Sequence, residues 1–150
     1  LVKDVLEKYS PDALRFFLLS THYRSPLDFS DERLDEAERN MERLTDVIAK
    51  TKELAKTEGN EETAESRALS EAADKALAGF KAAMDDDFNT GLASGFMFDL
   101  AKAINVYYTA VHNGTAHNQA AAQHAKDVLK TIMDIGKTVE RYRICFQRRI

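Results

Sequence analysis

The sequence predicts an all-α protein, an antiparallel bundle of four to five helices, and three observations carry that reading. Leu34, Ala37, Met41, Leu44, Ile48, Thr51 and Ala55 recur alternately three and four residues apart, a bundle seam sustained over about six turns. Helix-start chemistry recurs at Ser10-Pro11-Asp12 and Ser30-Asp31-Glu32, and stop signals stand at Gly59-Asn60 and Asn113-Gly114. The composition, 44% hydrophobic and 31% charged with 6 Gly, 2 Pro and no Trp, suits a soluble helical domain rather than a disordered or membrane chain.

Length and charge narrow the possibilities. A chain of 150 residues is one domain by default and buries roughly 68–70% of its unfolded surface. No apolar run approaches the roughly 20 residues that span a bilayer, and Leu1-Val2-Lys3-Asp4 does not read as a signal peptide. The single Cys145 excludes an internal disulfide framework, suits a reducing cytosol and reads as an ordinary thiol. The net charge is −4, but residues 137–150 carry +4 and the remainder −8. A nucleic-acid contact would therefore be a local patch rather than a general field.

Taken in order, Val2, Val5 and Leu6 form a short amphipathic turn closed by Tyr9. Ser10 is an N-cap, Pro11 fits the first helical position, and Asp12 favours the positive end of the helix dipole. Ala13, Leu14, Phe16, Phe17, Leu18 and Leu19 make the helix apolar on most of its circumference, so burial against several neighbours is expected. Asp12 and Arg15 can pair three apart. Thr21, His22, Tyr23 and Arg24 follow, and Ser25-Pro26 ends the element.

Leu27-Asp28-Phe29 is a connector to the long helix capped by Ser30, and Asn60 to Ser66 is the expected flexible loop. The next helix carries Leu69, Ala73, Ala76, Leu77, Phe80 and Met84 on one stripe. In the acidic turn after it, Asp85-Asp86-Asp87 lacks the alternation and the Gly of a calcium loop. Capping by Asp87 or Asn89, with Phe88 plugging the core, explains the run better than a metal does.

The helix from Thr90 to His112 presents Leu92, Phe96, Leu100, Ile104, Tyr107 and Val111. Gly91 and Gly95 weaken its first turns by about 1 kcal/mol each relative to Ala, which calls for a close neighbour. Asn105 suits a hydrogen bond to another helix. The last helix, Ala116 to Gly136, buries Ala121, Ala125, Val128, Leu129, Ile132, Met133 and Ile135. His117 and His124 lie two turns apart without a third ligand, so they are expected to face water, with no metal site and no catalytic residue.

Two stretches carry a resemblance. Asp12-Ala13-Leu14-Arg15, continuing through Phe-Phe-Leu-Leu-Ser-Thr-His-Tyr-Arg-Ser-Pro-Leu, resembles the helical domain of cysteinyl-tRNA synthetases, which is named after that Asp-Ala-Leu-Arg motif. Ala83-Met-Asp-Asp-Asp-Phe-Asn-Thr90, with Asp87, Phe88 and Asn89 at its centre, is similar to the family's acidic turn between bundle helices. Two long matches in the expected order are specific where four letters would not be. The family's Lys-Met-Ser-Lys-Ser loop, its His-x-Gly-His signature and a zinc-holding Cys/His cluster are not found in these residues.

The resemblance implies a helical DALR bundle over 10–136, of the anticodon-binding type of class I aminoacyl-tRNA synthetases. Residues 1–9 would be a junction helix from a catalytic domain, and 137–150 a basic tail unlike the family. It also implies tRNA(Cys) and the parent's catalytic and C-terminal domains as partners, neither membrane nor DNA, and a cytoplasmic location. ATP and zinc would belong to the parent enzyme and no cofactor to this fragment, which should be inactive alone. The RNA-binding candidates are Arg15, His22, Tyr23 and Arg24, whose guanidinium, imidazole and phenol groups can hold phosphates and stack on bases, with Arg141 and Arg143 in the tail. A second reading has the first four bracing the junction with the catalytic domain, and a truncated end would explain the tail equally well. Two other readings of the whole remain: the related ligase joining cysteine to a glucosaminyl-inositol, and a non-catalytic interaction or oligomerisation bundle.

Overall fold

The computed structural model describes residues 2–147, and the surroundings of the side chains from 3 to 138. Its elements are α1 (Val2–Lys8), α2 (Pro11–Leu19), α3 (Asp31–Lys56), α4 (Ala64–Asp85), α5 (Thr90–His112) and α6 (Gln119–Gln147). Side-chain caps start each of the last five. Ser10, Ser30 and Asn89 accept from the backbone N–H three residues on, at 3.2, 3.4 and 3.1 Å. Thr63 and Ser66 form a reciprocal capping box on α4, and the Asn118 side chain accepts from Ala121 N at 2.9 Å. Each such cap contributes about 1 kcal/mol.

Helices α3 to α6 make the bundle, with consecutive helices antiparallel. Neighbours in space are α4 with α5 and α6, and α3 with α6 and α5, so α3 and α4 stand across the bundle from one another. The linker between them must therefore cross the end of the bundle. It is held there rather than loose as expected: Glu61 N donates to His117 O, Gln119 N donates to Gly59 O, and Asn60 bridges Asn118.

Two apolar clusters result. The larger runs from Leu44 to Ile132 through α3, α4, α5 and α6; the smaller joins Tyr9, Phe17, Leu34 and Ala37, with Val5, Leu14, Phe16 and Leu18 against it. Burying a large side chain fully contributes about 1.5–3 kcal/mol. Since α3 serves both clusters, its buried stripe is wider than one seam. Val47 and Leu54 are buried although outside the predicted pattern, while Met41 and Ile48 are only partly buried.

Several expectations are corrected. Helix α2 ends at Leu19, where the Ser20 hydroxyl donates to Phe17 O at 2.7 Å, so His22 to Arg24 lie beyond it in a turn closed by Ser25 N to His22 O. Only Ala13 and Phe17 of α2 are fully buried, because the helix packs chiefly on α3. Leu92 is half exposed, and Ala93 and Met97 take its place in the core. Gly91 has its close neighbour, since a Cβ there would stand 2.9 Å from Ser20 O; Gly95 has nothing within 4 Å. Helix α6 begins at Gln119 and runs past Gly136.

His117 is buried, against the expectation that it faces water. Its Nε2 donates to Leu54 O at 2.9 Å, because a carbonyl can only accept. In the uncharged ring Nδ1 then accepts from the Tyr107 hydroxyl at 3.1 Å, and the Tyr107 oxygen accepts from Asn118 N at 2.9 Å. With Gln119 Nε2 donating to Ala55 O at 2.8 Å, two carbonyls at the end of α3, those of Leu54 and Ala55, are satisfied by the segment that opens α6. His124 is partly exposed, 2.7 Å from Asp74.

Candidate nucleic-acid interface

Three of the candidate residues meet at one aspartate, Asp87. The Tyr23 hydroxyl donates to Asp87 Oδ1 at 2.8 Å, and an Arg24 guanidinium nitrogen lies 3.3 Å from Asp87 Oδ2. Arg24 Nε donates to the Tyr23 oxygen at 2.9 Å. His22 accepts from Arg24 N through Nδ1 at 3.3 Å, which leaves Nε2 to donate to the Asp87 carbonyl at 3.1 Å. The imidazole stacks on the Tyr23 ring at 4.8 Å, and the guanidinium lies 5.4 Å from the same ring's centroid.

The backbone aims that carboxylate. Asp87 and Phe88 have φ of 53° and 52°, a left-handed pair without glycine that is uncommon for residues with a Cβ. Phe88 N to Met84 O and Asn89 N to Ala83 O hold the turn, and Asn89 then caps α5 as expected. The left-handed turn also points Phe88 outwards. The residue is 57% exposed and does not plug the core, so that expectation is overturned. Tyr23 and Leu92, at 47% and 50%, are exposed at the same end of the bundle.

Arg15 belongs to another neighbourhood. It pairs with Asp12 at 3.2 Å as expected, and both line a cavity of about 350 Å³ between α2 and the main bundle. Met41, Met84, Met97 and Met133, all four methionines of the chain, line that cavity too. Arg141 and Arg143 lie outside the residues whose side chains are described. Sequence reasoning missed Asp87 as the acceptor for the His22–Arg24 trio. The two are 64 residues apart and no local pattern joins them. Chemically, the site offers a cation, an imidazole and exposed rings, which suit phosphate contact and base stacking, with an internal carboxylate already among them. Among the described residues no group of three His, Cys, Asp or Glu could hold a metal, and no helix is long and apolar enough to cross a membrane.

Two families match the chain. Residues 1–39 match the "tRNA synthetases class I (C) catalytic domain" and residues 79–135 the "DALR domain". The first match takes in α1, α2, the Asp12–Arg15 tetrad and His22–Arg24; the second takes in Asp87. Helical fold and matches together define a helical segment of the class I tRNA synthetase type. In particular, the chain belongs with the DALR segment of the cysteinyl-tRNA synthetases. It is 46% identical over 133 residues, 87% of this chain, to the cysteine–tRNA ligase of Geobacter metallireducens, of which that covers 27%. To the cysteine–tRNA ligase of Geobacter sulfurreducens it is 48% identical over 69% of this chain and 22% of that protein. With that of Heliobacterium modesticaldum the figures are 38%, 90% and 28%. The chain thus spans about a quarter of the length of the curated relatives it matches.

Proposed function

We propose that this chain is the part of a cysteine–tRNA ligase that docks tRNA(Cys) on the anticodon-stem side and orients it towards a catalytic domain. In that reading ATP, zinc and cysteinylation belong to the rest of the enzyme, in the cytoplasm, and the partners here are the tRNA and the parent's catalytic and C-terminal domains. The observation that carries it is the likeness to cysteine–tRNA ligases over 87% of this chain. The cluster of His22, Tyr23 and Arg24 beside exposed Phe88 supplies chemistry suited to RNA. Arg15, and Arg141 and Arg143 in the tail, are further candidates. Holding a tRNA in one orientation is itself a contribution to rate.

The test is a titration of the chain with cysteine tRNA and a non-cognate tRNA at low and moderate salt, following amide shifts. Shifts at His22 to Arg24 and Phe88 that weaken as salt rises are expected, because phosphate contacts release counterions. No shift at any accessible concentration would remove this reading and leave a spacer.

A further inference from the structure

The smaller apolar cluster falls inside the first family match, while the larger takes in the second match together with the unmatched stretch before it. Every residue of the smaller cluster lies within 1–39, and every residue of the larger's buried core lies between Leu44 and Ile132. Helix α3 is common to both, its first turns in one and its later turns in the other. Beside α3, links between the two bodies include the packing of Phe16 on the larger cluster with its edge-to-face pair to Phe98 at 5.6 Å, the close approach of Gly91 to Ser20 O, and the cluster on Asp87.

Between the bodies lies the methionine-lined cavity. Close-packed branched side chains would lock one orientation of α2 against the bundle. Unbranched thioethers around a space adapt to several. Phe16, Leu19, Leu44, Ile48, Phe80 and Ile132 line the same space, so packing on this side limits the angle without closing the gap, and directional bonds add to it. Asp87 supplies them. Its carboxylate comes from the DALR-matching part, on a left-handed turn, and gathers Tyr23 and Arg24 from the other part, while its backbone carbonyl takes His22.

We propose that Asp87 is a positioning residue that clasps the 1–39 body to the DALR body and so sets the orientation in which an RNA on one meets the other. The proposal rests on the tRNA-docking reading for its functional sense, but its structural core is tested without RNA. Nitroxide labels at Glu7 and Lys81, exposed on α1 and α4, in a chain with Cys145→Ser, report the angle as a distance distribution. The unmodified chain should show one narrow peak. D87A should at least double its width, while D87N, which keeps an acceptor for Tyr23 but loses the charge facing Arg24, should fall between. Thermal unfolding of D87N and D87A should show the main core retained. D86A, which removes the same charge one residue away, should leave the peak narrow.

A peak equally narrow in D87A and in Y23F overturns the clasp, and so does equal broadening by D86A. If D87A does not fold, D87N and Y23F carry the test. Adding cysteine tRNA should narrow the D87A distribution again, as an RNA bridging both bodies restores their angle. If the unmodified chain binds tRNA and the D87A peak stays broad, the positioning role is overturned while docking stands. If the unmodified chain binds no tRNA, docking falls and the distance data still decide the clasp.

Discussion

The Tyr107 hydroxyl shows how much one atom can hold. It is donor to His117 and acceptor from Asn118, and Tyr107 and His117 are both buried. Replacing it by Phe leaves a ring nitrogen and a backbone N–H without partners where water does not replace them. Tyr107→Phe should cost about 1–3 kcal/mol, read as a lower urea midpoint with unchanged slope. Tyr9 offers a pH test of the same kind. Burial first, and then its bond to Asp35 at 2.7 Å, raise the phenol above its ordinary value of 10.0, against an opposing pull from Lys8. The Tyr108 phenol is raised as well, first by its bond to Glu53 and then by burial. A raised value means the folded state prefers the neutral phenol, so this stability is fully present below about pH 10 and is lost as pH rises through the folded-state value. The urea midpoint should fall above about pH 10, and Tyr9→Phe should make that fall shallower.

At the scale of the element, two glycines predict opposite outcomes. Gly95 stands in mid-helix with nothing within 4 Å of where a Cβ would stand, so Gly95→Ala should stabilise, by about 1 kcal/mol. Gly59 lies against the backbone of His117, where a Cβ would stand 2.4 Å from a carbonyl oxygen. Gly59→Ala should cost about 1–3 kcal/mol as the linker is pushed off, and thermal melts of the two variants check both signs. What was legible in the sequence follows the same division. Ser10, Ser30 and Asn89 could be read as caps because a cap is local chemistry, complete within four residues. The bounds of α5 were legible for that reason. The pinning of the linker was not, since it depends on α3 and α4 standing across the bundle from each other.

For the molecule as a whole, composition and the three-four seam were enough for an all-α bundle, because periodicity reports burial whichever partner provides it. They could not show that α3 serves two clusters, nor that the trio at the exit of α2 is held by Asp87. Those depend on which faces meet. Charge belongs to this scale as well. With −8 outside residues 137–150, polyanion binding must work against a repelling field. If the docking reading holds, phosphate contacts lose affinity for tRNA between about 50 and 200 mM salt while salt also screens this repulsion, so the fall should be shallower than for a basic domain, and a filter-binding series checks it.

Helix α3 also has a mechanical meaning. Its 26 residues make a rod about 39 Å long, anchored near one end by the smaller cluster and at the other by His117 and Gln119. A rod of that length turns angle into distance: a tilt of about 1.5° between its two anchorages corresponds to about 1 Å over its length. Misplacement on that order can cost a reaction about a hundredfold. Held by one cluster at its first turns and by His117 and Gln119 at its last, the rod keeps that tilt small at both ends.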